Sequence, residues 1–380
     1  MGLQATARAA YVHVPFCAHR CGYCNFTLIA GRDDLIDAYL EAVGREMSWL
    51  DTPREVDTIF LGGGTPTHLS EPQLARLLEL VARWFPTAAD CEWSVEANPA
   101  DMNPAKAQLL DAHGVNRISL GAQSFQRGKL KQLDRDHQAE HIEAAVGVAK
   151  QLFQSVSLDL IFGAPGETQA GWEDDLARAI RLRPDHVSTY GLTYERGTRF
   201  WSFLNAGRLA ALGEDLERDM YAVAIDRLAG AGFEHYEVSN FAQPGHRCRH
   251  NETYWTGGGY YAVGPGAARY IDGRREINHR STTTYLKRVL AGQSPVAEQE
   301  TLPPADAARE TLVFGLRRLE GVRRDWFVRH SGFEPDALVG ESLRKYVQLG
   351  MLADDGMTIR LTREGLFVSD GIWPDFLSGS

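Results

Sequence analysis

The chain has 380 residues, of which 44% are hydrophobic, 24% charged and 10% aromatic. This composition excludes disordered, collagen-like and disulfide-scaffold classes, and the length suffices for one large α/β domain with a smaller appendage. The net charge of −10, from 40 basic and 50 acidic residues, argues against a nucleic-acid partner and against an anionic membrane surface. No apolar run approaches the ~20 residues of a membrane-spanning helix, and the first ten residues lack a signal-peptide stretch. The expectation is a cytoplasmic protein without an integral membrane segment, which leaves only transient membrane docking open.

A strand over 11–14 leads into a loop with three cysteines. Apolar Leu35, Ile36, Tyr39, Leu40, Val43 and Met47 recur at helical spacing behind Asp33 and Asp34. A strand over 56–61 ends in Gly62-Gly63-Gly64, and Ser70 with Gln73 forms a capping-box pattern for a helix through Val81. Strand 92–96, a helix from Asn103-Pro104, strand 117–121, helix 141–152, strand 156–162, helix 168–182 and strand 186–190 follow. Such alternation predicts a parallel sheet covered by helices. Right-handed crossovers can close it into a (β/α)6 partial TIM barrel or leave it doubly wound.

After Leu192 the alternation stops. Helix 216–228 and strand 235–238 precede a Gly- and aromatic-rich loop over 241–268. From about Pro295 a small separate domain is expected, with Leu312, Leu316 and Leu319 on one helix face, a second helix over 342–349, and a hairpin turning at Asp355-Gly356. Helices followed by a β-wing suggest a winged-helix-like α+β shape. Between Arg309 and Lys345, eight basic and six acidic residues are too balanced for DNA binding. The division expected is 1–205 for the core, 206–294 for an extension covering the barrel, and 295–380 for the C-terminal domain.

Five cysteines, an odd number with three inside eight residues, make a secreted disulfide framework a poor reading. Cys17, Cys21 and Cys24 form C-x3-C-x2-C. Three thiolates on a four-iron cluster leave one iron without a protein ligand, and an open position is where chemistry happens. The rival is a structural zinc site completed by His13 or His19. Zinc sites draw ligands from two separated pairs, whereas these cysteines share one loop, so the cluster is the better reading. Cys91 reads as a packing residue.

The run Tyr11-Val-His-Val-Pro-Phe-Cys17-x3-Cys21-x2-Cys24 resembles the radical S-adenosylmethionine (SAM) superfamily, in its coproporphyrinogen dehydrogenase-like branch, and the similarity extends over nearly the whole chain. The resemblance implies a [4Fe-4S] cluster on Cys17, Cys21 and Cys24 whose open iron is chelated by SAM. It also implies electron transfer that breaks the sulfonium bond, and it favours the (β/α)6 partial barrel. Gly62-Gly63-Gly64-Thr65-Pro66-Thr67 fails the P-loop and dinucleotide spacings. By resemblance Gly63, Gly64 and Thr65 border SAM, and Glu96 binds it. Gln123, Arg135 and Asp159 match contacts to a second SAM, and Tyr11 and Tyr23 match ligand positions beside the cluster. Glu96, Gln123 and Asp159 belong to successive strands, and polar residues at the carboxyl ends of parallel strands converge on one barrel mouth.

Two kinds of function share this scaffold, oxidative decarboxylation of coproporphyrinogen III and haem carriage. The dehydrogenases carry a further cysteine two residues after the last ligand, where this chain has Phe26. They also have a long arm before the first strand, where only ten residues precede Tyr11. His250-Asn251-Glu252-Thr253-Tyr254-Trp255 matches the HNxxYW motif of the HemW group of haem chaperones. Imidazole is a normal haem ligand and aromatics can cover a macrocycle, so the expectation is haem bound by His250, Tyr254 and Trp255. His246, Cys248 and His279 are alternative iron ligands. The bland alternative is a loop whose polar residues satisfy backbone groups and whose aromatics seal the barrel. The carrier reading implies an acceptor protein for the haem and no coproporphyrinogen dehydrogenase activity. A third reading is another radical SAM enzyme acting on a tetrapyrrole.

Overall fold

The computed structural model describes residues 7–378. Six strands alternate with helices and pair in parallel, in chain order: β1 (Ala9–Val14), β2 (Val56–Gly63), β3 (Thr87–Ala97), β4 (Arg117–Gln123), β5 (Ser155–Phe162) and β6 (His186–Gly191). β5 is buried at seven of its eight positions because helices cover its outer face and side chains fill the inner one. The local signals act where the sequence places them. Ser70 and Gln73 make the capping box of helix Glu71–Trp84, and the Asn103 side chain accepts from the Lys106 amide at 2.9 Å behind Pro104. This is the expected (β/α)6 partial barrel.

Both flanks of the sheet are extended. Tyr260–Val263 pairs in parallel with β1, and an antiparallel meander of Ala268–Ile271, Arg274–Asn278 and Val296–Thr301 continues that side. On the other side Asn240–Ala242 and Glu234–Glu237 add antiparallel to β6. Two expectations are thereby corrected. The segment 241–268 is not a loop throughout, because it contains helix Arg249–Trp255 as well as strand Tyr260–Val263. Residues 296–301 belong to the large sheet rather than to the small domain that follows them. The meander gives little apolar signal in the sequence because its strands carry charged pairs. Arg275 pairs across to Glu300 at 3.1 Å, and Arg269 donates to Glu276 at 2.6 Å.

The C-terminal part has helices Pro304–Leu316, Arg324–Ser331 and Pro335–Gln348 and a three-stranded sheet with a hairpin at its edge, as a winged-helix-like unit requires. A last helix, Ser369–Leu377, packs back through Ile372 and Phe376. Among the described residues no helix is long and apolar enough to cross a membrane.

Candidate cofactor and ligand cavity

The carboxyl ends of the six strands open into one cavity of about 1740 Å³. Its walls come from both flanks of the sheet, from Tyr260 and Tyr270 on one side to Val238 and Ser239 on the other, and from the C-terminal part through Phe314 and Phe367. An open sheet whose two edges border one space is curved around it. The sequence-predicted residues Tyr11, Cys17, Cys21, Tyr23, Cys24, Gly63, Gly64, Thr65, Glu96, Gln123, Arg135, Asp159, Tyr254 and Trp255 all line it. His250 does not.

The cysteine loop and the glycine turn form one unit. The Gly64 and Thr65 amides donate to the Val14 and Phe16 carbonyls, each at 2.8 Å, so the turn after β2 is zipped onto the start of the loop. Thr65 Oγ1 then lies 3.4 Å from Cys17 Sγ. Glycine is required here: Gly63 has φ +99°, and a Cβ on it would stand 2.1 Å from the His13 ring. His13 is itself committed, with Nε2 donating to the Thr27 carbonyl at 2.6 Å and Nδ1 accepting from the Tyr11 hydroxyl at 2.9 Å. It therefore has no nitrogen left for a zinc ion.

The donor set fits an iron–sulfur cluster. Among the described residues no three His, Cys, Asp or Glu side chains converge on one point as a single ion's ligands do, whereas a cluster takes each thiolate on a separate iron. Burial pushes the Cys17 thiol up to about 12, so its thiolate needs metal to form. Arg135 supplies positive charge beside the loop, with Nη1 3.8 Å from Cys21 Sγ and Nη2 donating to the Gly121 carbonyl at 2.7 Å. The sequence reading missed Arg280, which holds the loop's far end through the Asn25 carbonyl at 2.7 Å and Thr27 Oγ1 at 3.2 Å.

Glu96 and Asp159 stand on the cavity floor. Glu96 Oε2 accepts from the Gly63 amide at 2.8 Å and has no cationic side chain bonded to it among the described residues. Burial pushes its carboxyl up to about 7, with Asp159 adding to the rise and the Gly63 amide opposing it. Asp159 is likewise raised, chiefly by burial, against hydrogen bonds from Ser188 and Ser119. Two desolvated carboxyls facing one cavity suit a cationic ligand group. Gln123 closes β4 at φ +63°, a conformation uncommon outside glycine.

The HNxxYW segment is the helix Arg249–Trp255. Its N-terminus is capped at long range by Glu92, whose carboxylate accepts from the amides of Arg249 at 3.2 Å and His250 at 3.0 Å. His250 is only 1% exposed, Thr58 Oγ1 lies 2.9 Å from its Nδ1, and the Tyr254 hydroxyl lies 2.8 Å from its Nε2. Its ring stacks on Phe60 with centroids 5.2 Å apart. Without a ligand, both ring nitrogens of His250 are thus engaged inside the barrel by hydroxyl groups. Cys248 is also buried and lies beside Glu92, and neither His246 nor His279 lines the cavity. Tyr254 and Trp255 line the cavity.

Comparison with known proteins agrees with this geometry. Residues 11–179 match the radical SAM superfamily, and residues 302–368 match the HemN C-terminal domain. The chain is 33% identical to the heme chaperone HemW of Bacillus subtilis, over 97% of this chain and 99% of that protein. It is 35% identical to the heme chaperone HemW of Lactococcus lactis, over 97% of each. The mitochondrial radical S-adenosyl methionine domain-containing protein 1 of Danio rerio is 32% identical, over 98% of this chain and 88% of that one. Among solved structures, coproporphyrinogen III oxidase (HemN) from Escherichia coli, a radical SAM enzyme, superposes with a TM-score of 0.86 at 23% identity. That match covers 98% of this chain and 90% of the other, and establishes a common fold. With the three-cysteine loop and the HNxxYW helix in place and identity sustained from end to end, the chain belongs to the HemW family of radical SAM proteins.

Proposed function

We propose that this chain is a haem chaperone which holds a [4Fe-4S] cluster and SAM in its cavity, binds haem, and passes the haem to an acceptor protein. The cavity carries the reading. At about 1740 Å³ it exceeds the roughly 300–1,000 Å³ typical of a site for one small ligand. Its lining combines thiols, amides and carboxyls with the aromatic side chains of Tyr254, Trp255, Tyr260 and Tyr270.

In this proposal Cys17, Cys21 and Cys24 hold the cluster, which when bound supplies one-electron chemistry and an open coordination position. Gly63, Gly64 and Thr65 let backbone approach SAM, and the Glu96 carboxylate meets its amino group. Tyr11 and Tyr23 contact the ligand beside the cluster, and Gln123, Arg135 and Asp159 border a second SAM. The division into 1–205, 206–294 and a C-terminal unit is proposed with the last boundary moved beyond Thr301. We place the chain in the cytoplasm. Coproporphyrinogen oxidation is the lesser reading, because Phe26 stands 64% exposed at the cavity wall where a thiol would be needed.

The test is anaerobic titration of the purified chain with haem beside a coproporphyrinogen III assay containing SAM and reductant. Saturable haem binding without substrate-dependent carbon dioxide is expected. Absence of haem binding, or carbon dioxide release at an enzyme-like rate, would overturn the proposal.

A further inference from the structure

His250 does not border the large cavity. It lines a second, smaller chamber of about 190 Å³, and Tyr254 lines both spaces. Resting on the haem-chaperone reading, with His250 as the iron ligand, we infer that Tyr254 is a displaceable cap on Nε2 of that histidine, and that Thr58 is the positioning residue that keeps this nitrogen ready for iron.

The imidazole is held on three sides. Its face lies on Phe60 with the planes 29° apart, Nδ1 is 2.9 Å from Thr58 Oγ1, and Nε2 is 2.8 Å from the Tyr254 hydroxyl. A phenol O–H is a stronger proton donor than a neutral imidazole N–H, and Nε2 is the one hydrogen-bond partner of the Tyr254 hydroxyl among the described residues. The phenol therefore donates to the Nε2 lone pair. That leaves the ring proton on Nδ1, with Thr58 Oγ1 as its acceptor. Metal-binding histidines are arranged in this way, one ring N–H given to a fixed acceptor and the other nitrogen left for the metal. Thr58 is buried in β2, so this end of the ring is anchored to the sheet.

Of the three neighbours only Tyr254 also lines the large cavity. It stands in the last turn of helix Arg249–Trp255, whose first turn is pinned by Glu92 and whose end runs into Gly257-Gly258-Gly259. Moving Tyr254 off Nε2 breaks one neutral hydrogen bond and frees the nitrogen, while Thr58 and Phe60 keep the ring in place. The same hydroxyl competes with iron for the lone pair, so it weakens haem binding and hastens release, as passing haem on requires.

The experiment titrates the full chain with ferric haem, following binding rate, affinity and resonance Raman, for the unmodified protein and for Tyr254→Phe, Thr58→Val, Thr58→Ser and His250→Ala. Nitrogen-15 NMR of the haem-free, histidine-labelled chain reads the His250 tautomer independently of haem, and the proton is expected on Nδ1. Tyr254→Phe should keep an imidazole-ligated spectrum and bind haem faster and roughly twofold to tenfold more tightly, the range spanned by one net hydrogen bond. Thr58→Val should lower the ferrous iron–histidine stretching frequency and weaken binding, and Thr58→Ser should restore both. His250→Ala should lose the nitrogen-ligated spectrum. A proton found on Nε2, a Tyr254→Phe chain that binds no faster and no tighter, or a His250→Ala chain that keeps the ligated spectrum overturns the inference while the chaperone reading stands. If the unmodified chain binds no haem, it is the chaperone reading that fails.

Discussion

Arg317 and Glu237 form an ion pair that ties the C-terminal part to the far edge of the open sheet. Arg317 Nε and Nη2 both donate to Glu237 Oε1, at 2.9 and 2.7 Å, and Glu237 is fully buried. The other carboxylate oxygen accepts from the Ser239 amide at 3.0 Å and from the Asn240 side chain at 2.6 Å. The same guanidinium lies 4.7 Å from the centre of the Trp255 ring, at the end of helix Arg249–Trp255. One side chain thus joins the C-terminal part to the edge strand Glu234–Glu237 and to Trp255.

Arg317→Ala should therefore destabilise the chain by roughly 3 kcal/mol, the lower end for breaking a buried pair, because Arg317 keeps some solvent contact. Urea denaturation measures this. Haem affinity should fall as well, since Trp255 loses the cation that packs on it. A loss below about 0.5 kcal/mol would mean that the pair behaves like a surface salt bridge.

Gly63→Ala should cost roughly 1–3 kcal/mol in backbone strain and also displace His13, against which the new Cβ would clash. Because His13 holds Thr27 at the base of the cysteine loop, the reconstituted iron content and SAM affinity should both drop. Gly147→Ala is the matched control. It lies in helix Ala139–Leu152, where an added Cβ would meet nothing within 4 Å, and should be neutral or stabilising by about 0.5–1 kcal/mol.

Anaerobic reconstitution should load about four irons and four sulfides per chain, and Cys17→Ala should lose them. Haem binding should persist in Cys17→Ala, since the aromatic bay is built from other elements. Recovery of one zinc and no sulfide from the unmodified chain would contradict the cluster assignment.

Glu96 makes SAM binding depend on pH. Its carboxyl titrates near about 7 because of burial, so the carboxylate that meets an ammonium group is fully formed only above that value. SAM affinity should rise between about pH 6 and 8, and Glu96→Gln should flatten the profile. The SAM-free chain should show the opposite trend in stability. A folded value above the unfolded 4.5 means that the folded state holds the proton more tightly, so this contribution is complete below about pH 4.5 and is lost as pH rises through 7. Denaturation midpoints of the unmodified chain and Glu96→Gln across about pH 5–8 measure the difference.

The β/α units were legible in the sequence because each helix carries its own apolar stripe and local cap, as Ser70, Asn103 and Thr168 show. The cysteine spacing and the glycine turn were equally legible, since Cys17, Cys21 and Cys24 share one loop and their chemistry does not wait on distant contacts. The tertiary structure alone gives the surroundings of His250. Thr58 and Tyr254 engage its two ring nitrogens, and Thr58 is 192 residues away in the chain. The helix that carries His250 was hidden for the same reason, because its cap is Glu92 rather than a neighbour.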